Sequence, residues 1–283
     1  MRVGNLAGRL SLFIDGGAID VARASGGRFG PDPQAVYTRW PEFVEWAQNG
    51  AADGPVAFAA EELGPPAPRP AQVFAIGANY HEHAAEGGVD APDVPMVFNK
   101  WVSSFTGPTG EIVLPSARVD WEAELVVVMG RHAYKVTEDA AWDHVAGLTI
   151  GQDLSERDVQ LRGLYPQLGL GKSFPGFSPT GPYIVTPDEL DDPDSLELGC
   201  SLNGEVLQHA STADLVFSVP ALIAELSAVL PLEPGDVIFT GTPGGVGFVR
   251  KPPRFLAPGN ELVTYVTGIG EMRHTFKASQ EEA

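Results

Sequence analysis

The chain is poor in positive charge and nearly free of cysteine. Eighteen Lys and Arg stand against 37 Asp and Glu, a formal charge of −19. Such a surface repels phosphate backbones and anionic headgroups, which argues against nucleic acid and membrane surfaces as partners. Cys200 is the single cysteine, so an internal disulfide and a thiolate metal cluster are both excluded. No apolar run reaches the length of a membrane span, and Met1-Arg2-Val3-Gly4-Asn5 lacks the apolar stretch of a secretory signal. A reducing cytoplasm is the expected compartment. Lysine is also scarce, confined to Lys100, Lys135, Lys172, Lys251 and Lys277.

Glycine and proline are plentiful, at 33 and 25 residues, and point to many turns and short strands rather than long helices. With 283 residues and 43% hydrophobic content, the chain can build one large core with a small appendage. The first part reads as strands Arg9–Ile14 and Ala18–Ala22 around the turn Asp15-Gly16-Gly17, then a helix over Pro33–Gln48. Gly64-Pro65-Pro66-Ala67-Pro68-Arg69-Pro70 can hold neither helix nor strand. It divides a small N-terminal α/β domain, residues 1–70, from a main domain, residues 71–283.

Strand signals dominate the main domain: Val73–Gly77, Ile112–Leu114, Trp121–Met129, Ala146–Gln152, Tyr183–Thr186 and Val237–Thr240. Asn203-Gly204 marks a hairpin between Leu198–Leu202 and Val206–His209, and Gly268-Ile269-Gly270 another between Glu261–Thr267 and Glu271–Phe276. Helices are expected after Asn79, over Glu138–His144 and over Pro220–Leu230. Strands and helices do not alternate regularly, which argues against a Rossmann sheet and a TIM barrel.

Asp120-Trp121-Glu122-Ala123-Glu124-Leu125-Val126-Val127-Val128-Met129 is the most informative segment. Alternation along a strand sends Glu122 and Glu124 the same way. The apolar residues that follow bury both faces. Two parallel carboxylates in such a place repel each other and lose hydration unless a cation compensates. Asp153 ends another apolar run, Leu148-Thr149-Ile150-Gly151-Gln152. Three carboxylates without thiolate or paired imidazole suit a hard ion, Mg²⁺ or Mn²⁺, with Ca²⁺ also compatible. The alternative is an edge strand with solvated Glu side chains. Gly169-Leu170-Gly171-Lys172-Ser173 lacks the glycine a P-loop needs, since Pro166 stands there, so nucleotide binding is rejected. His83 and Glu86, three apart, share a face on a helical turn.

In this order the chain carries Ile76-Gly77-Ala78-Asn79-Tyr80-His81-Glu82-His83-Ala84-Ala85-Glu86, Asp120-Trp121-Glu122-Ala123-Glu124-Leu125, Gln152-Asp153-Leu154-Ser155-Glu156-Arg157-Asp158-Val159-Gln160, Gly171-Lys172-Ser173-Phe174, Thr180-Gly181-Pro182, Asn203-Gly204-Glu205, Pro234-Gly235-Asp236 and Thr240-Gly241-Thr242-Pro243-Gly244-Gly245-Val246-Gly247. Together these segments resemble the fumarylacetoacetate hydrolase family. The resemblance implies an α+β fold, a mixed β-roll with few helices, usually a homodimer. It implies metal ligands Glu122, Glu124 and Asp153, and a lid near residues 79–94 whose His83 and Glu86 handle water. It implies Lys172 pointing into the pocket to offer charge to an enolate. Arg157, Gln160 and Thr242 are expected to contact the substrate, a small anionic 2-oxo acid. The expected reaction is metal-dependent hydrolysis of a C–C bond in an acylpyruvate or 1,3-diketone. Decarboxylation or isomerisation of a small 2-oxo dicarboxylic acid is the second expectation, and a non-catalytic metal-stabilised binding protein the third.

Overall fold

A computed structural model describes residues 1–50, 54–88 and 90–279. The architecture is α+β, with short helices and mixed sheets. The strands of the largest sheet run, in spatial order, Gly17–Asp20, Arg9–Ile14, Arg2–Leu6, Ser178–Val185, Val145–Gln152, Ala123–Met129, Val237–Phe239, Val73–Gly77 and Met96–Asn99. A five-stranded sheet, Glu205–Ser211, Glu197–Leu202, Glu261–Val266, Gly270–Ala278 and Thr109–Leu114, lies against it. Both expected hairpins form, each a local antiparallel pair. The mixed character comes from distant segments: Val237–Phe239 runs parallel to Val73–Gly77, and Gly270–Ala278 parallel to Thr109–Leu114.

Strand Ala123–Met129 is buried along its whole length. Leu125, Val127 and Met129 enter one core with Leu148, Ile150, Leu198, Met272 and the helix Val219–Val229. Val126 and Val128 enter a second core with Phe239, Leu10, Trp40 and Phe43. A strand covered on both faces cannot solvate its carboxylates, and this removes the edge-strand alternative.

The N-terminal strands are continuous with the main sheet, since Arg2 and Val3 pair with Val185 and Ile184. The expected helix over Pro33–Gln48 is a 3₁₀ turn, Ala35–Arg39, leading into an α-helix, Trp40–Gln48, that buries Trp40 and Phe43. The expected strand over Ala18–Ala22 stops at Asp20, whose carboxylate caps the turn Val21–Ala24 by accepting from Arg23 N at 2.9 Å. No helix among the described residues is long and apolar enough to cross a membrane.

Candidate active site

Ala123–Met129 pairs antiparallel with Val145–Gln152, Ala123 opposite Gln152 and Glu124 opposite Gly151. The register continues one step further, where Asp153 N donates to Glu122 O at 2.9 Å. Asp153 therefore stands across from Glu122 on the face that Glu122 shares with Glu124. Ligand oxygens of the three residues lie within 4.8 Å of one another, and all three are buried. Strand alternation and one antiparallel register thus build the triad, and the three carboxylates foreseen in the sequence have a common focus.

Buried cations surround it. Lys172 Nζ donates to Glu122 Oε2 at 2.7 Å and to Asp153 Oδ2 at 2.6 Å. Lys100 Nζ donates to Asp153 Oδ1 at 2.5 Å, to Phe177 O at 3.1 Å and to the carbonyl of Lys172. Arg157 pairs with Glu122 Oε1 at 2.8 Å through Nη1 and with Asp120 Oδ2 at 2.6 Å through Nη2. Four buried carboxylates, counting Asp120, face three buried cations, leaving one negative charge uncompensated. A dication reverses that sign and makes the cluster attractive to an anionic substrate.

The charge is unevenly shared. Burial pushes Glu122 up, but Lys172, Arg157 and His83 outweigh it and hold the carboxyl at about 2. Glu124 is driven well above the usual carboxylate range by burial and by the charges of Asp153 and Glu122. Among the described residues the donor to its carboxylate is Gly241 N–H, at 2.8 Å from Oε2. An underneutralised buried carboxylate beside two others is the donor set a hard divalent cation satisfies, so the residues fit the ion.

His83 and Glu86 lie on the helix His81–Glu86, with Nδ1 and Oε2 4.0 Å apart. His83 Nδ1 is buried and has no hydrogen-bond partner among the described residues. Both Glu86 oxygens instead accept from Gly245 N–H, at 3.0 and 2.8 Å, clasping the helix to the glycine loop. Burial and the nearby charges of Arg157 and Lys172 lower the His83 pKa despite Glu122 and Glu86, keeping the imidazole neutral. Residue 89 of the expected lid lies outside the described residues.

The other expected contacts are engaged within the protein. Gln160 Oε1 accepts from Arg157 Nη1 at 2.9 Å. Thr242 Oγ1 donates to Ala123 O at 2.9 Å and accepts from Gln208 Nε2 at 2.9 Å. Asp158, next in sequence to Arg157, pairs instead with Arg118 at 2.6 Å. Sequence reasoning overlooked Asp120 and left Lys100 without a role. Asp120 stands two residues before Glu122 and so shares its face, while Lys100 is one of only five lysines; both signals were present.

Carboxylates converging on one point, held by buried cations and overlooked by a neutral imidazole, define the centre of a metal-dependent enzyme. Residues 72–277 match the family described as fumarylacetoacetate (FAA) hydrolase C-terminal, and the chain belongs to that enzyme family. It is 45% identical over 207 residues to a human protein named mitochondrial oxaloacetate tautomerase FAHD2A. That match covers 72% of this chain and 66% of the relative, so the chain spans just under two thirds of the relative's length. A solved structure of a Mycobacterium smegmatis protein provisionally named HpcE is 55% identical, with a TM-score of 0.95 over 99% of this chain and 100% of that one. The maleylpyruvate hydrolase of Sphingobium sp. SYK-6, solved with manganese(II) and pyruvate, is 30% identical, with a TM-score of 0.79 over 99% of this chain and 100% of that one.

Proposed function

We propose that this chain enolises a small 2-oxo dicarboxylic acid of the oxaloacetate type, with Glu122, Glu124 and Asp153 holding Mg²⁺ or Mn²⁺. The observation that carries the reading is His83, set on the helix His81–Glu86 with its ring Nδ1 buried and, among the described residues, not hydrogen-bonded. The 45% identity to a named tautomerase, against 30% to a named hydrolase, supports it. Bound at the triad, the cation would act as a Lewis acid towards the 1-carboxylate and 2-oxo oxygens of the substrate.

The chain's own residues do the rest. His83 takes a proton from the carbon next to the 2-oxo group, the C–H electron pair becomes the new C=C bond as the carbonyl π pair moves onto oxygen, and the proton is returned to that oxygen to give the enol. A neutral imidazole suffices, because the flanking carbonyl acidifies that carbon. Lys172, bonded to both Glu122 and Asp153, partly offsets their charge and places a compact ammonium beside the developing enolate oxygen. Arg157 and Thr242, their polar atoms bonded within the protein, set the shape of the site, while Gln160, bonded through Oε1 alone, keeps its amide N–H for the substrate.

Hydrolysis of an acylpyruvate is the second reading. It is favoured by the His83–Glu86 spacing, because a carboxylate moved onto His83 Nδ1 would make the imidazole a water-activating base. The two separate in one assay with Mn²⁺. Enolisation predicts faster enol–keto exchange of oxaloacetate than Mn²⁺ alone produces. No acceleration, together with acetate and pyruvate release from acetylpyruvate, would put hydrolysis first.

A homodimer in the cytoplasm completes the proposal. Strand Met96–Asn99 ends the main sheet, and beside it Met96, Val97, Trp101 and Leu170 expose 44–50% of their surface, an apolar edge suited to a second copy. Light scattering should give twice the 30.0 kDa chain mass.

A further inference from the structure

Asp120 shares a strand face with two metal-type carboxylates, yet every oxygen it has is spent. Oδ1 accepts from Trp121 N at 2.8 Å and Gly247 N at 2.7 Å. Oδ2 accepts from Phe248 N at 2.9 Å and from Arg157 Nε and Nη2 at 3.0 and 2.6 Å. Three backbone donors and a two-pronged guanidinium saturate a fully buried carboxylate, and none of its lone pairs is left for an ion. Its chemistry is that of a clamp.

The clamp joins two halves of the site. On one side, Arg157 passes from Asp120 to Glu122 at 2.8 Å. On the other, Gly247 and Phe248 continue the loop in which Gly245 N–H holds both oxygens of Glu86. Gly245 sits at φ +101°, a backbone conformation that favours glycine. The loop has little room to move elsewhere, because a Cβ on Gly247 would lie 1.9 Å from Arg254 O. One carboxylate therefore fixes the loop that anchors the His83 helix and the arginine that sets Glu122. Lys172 and Lys100 hold Asp153 but make no bond to the loop or the helix.

We infer that Asp120 is a positioning residue that couples the His83–Glu86 helix to the carboxylate cluster. With its bonds intact, the glycine loop, the helix and Glu122 keep one mutual geometry; with them broken, the helix loosens while the triad remains. The inference deepens the enolisation reading and names a residue for it, but its main test needs no turnover. Asp120→Asn keeps the volume and replaces one acceptor oxygen by an amide donor, which faces N–H groups whichever way it turns.

Amide hydrogen exchange on the full chain reads the coupling directly. In D120N, peptides covering 81–88 and 245–248 should exchange about 10-fold faster, while peptides covering 123–129 keep wild-type protection. The kcat should fall about 10-fold or more with KM within about twofold, because a misplaced base costs the chemical step and not binding. Asp120→Glu, which restores the carboxylate, should recover part of the protection. Unchanged exchange in 81–88 overturns the inference even if activity is lost. Should D120N fail to fold, the wild-type protein decides: adding Mn²⁺ with oxalate should protect 81–88 and 245–248 to the same degree, and protection of one without the other contradicts the coupling. Loss of the enolisation reading would show instead as absent turnover in wild-type protein with this exchange pattern intact.

Discussion

Lys172→Met tests whether the ammonium is part of the charge balance of the cluster or a bystander. Methionine keeps most of the volume, so the packing loss is small. What disappears is a positive charge bonded to Glu122 at 2.7 Å and Asp153 at 2.6 Å, all three groups buried. Removing one member of a buried ion pair costs about 3–5 kcal/mol, because the partners stay behind uncompensated. At this chain length each kcal/mol moves the melting temperature by about 2 °C, so EDTA-dialysed K172M should melt about 6–10 °C below wild type. A dication at the triad supplies the missing charge. Mn²⁺ at about 100 times its Kd contributes about 2.7 kcal/mol to any protein that binds it only when folded, and K172M should gain more than wild type because its carboxylates are more exposed to one another's repulsion. Calorimetry with and without Mn²⁺ measures both quantities. A variant as stable as wild type, with an equal response to Mn²⁺, would refute the charge balance described for the site.

Three further outcomes follow from the same geometry. Glu124→Gln removes a repelled, buried carboxylate; it should raise the stability of the metal-free protein by about 1–3 kcal/mol while weakening Mn²⁺ binding more than 10-fold by isothermal titration. His83→Asn should lower kcat about 10²–10⁴-fold and leave Mn²⁺ affinity within about twofold, separating base from ligand. His274 is buried, with Nδ1 unpartnered among the described residues and Nε2 3.0 Å from Gly107 O, and burial lowers its pKa to about 4. Its unfolded value is higher, near 6.5, so the unfolded chain binds the extra proton. Stability is therefore full above about pH 6.5 and falls as pH drops towards 4, by about 3 kcal/mol; urea titrations across that range should show the loss, and H274Q should flatten it.

How much of this was legible depended on how local each signal is. Alternation in Trp121–Met129 and the apolar run before Asp153 are properties of single strands, so the three carboxylates could be singled out as candidates, while the edge-strand alternative stayed open and the ligand set came from the family resemblance. The Asn203-Gly204 hairpin is equally local, and it forms as expected. Strand Met96–Asn99 was missed because it is an edge strand with three of its four residues exposed, which leaves no two-residue periodicity to detect. Arg2–Leu6 was missed as a short strand whose partners include residues about 180 positions away. The same distance hid the cation network. Lys100 meets Asp153 across 53 residues, Asp120 meets Gly247 across 127 and Glu86 meets Gly245 across 159. No spacing rule reaches that far, so the internal bonds of Arg157 to Asp120 and of Thr242 to Ala123 could not be read from the sequence.

Anomalous diffraction from a crystal grown with Mn²⁺ bears most directly on the claim that three acidic side chains hold one divalent ion. A single manganese peak should appear with one oxygen each from Glu122, Glu124 and Asp153, at about 2.0–2.2 Å. Its absence there, or a peak at another group of carboxylates, would contradict the metal centre and the chemistry derived from it.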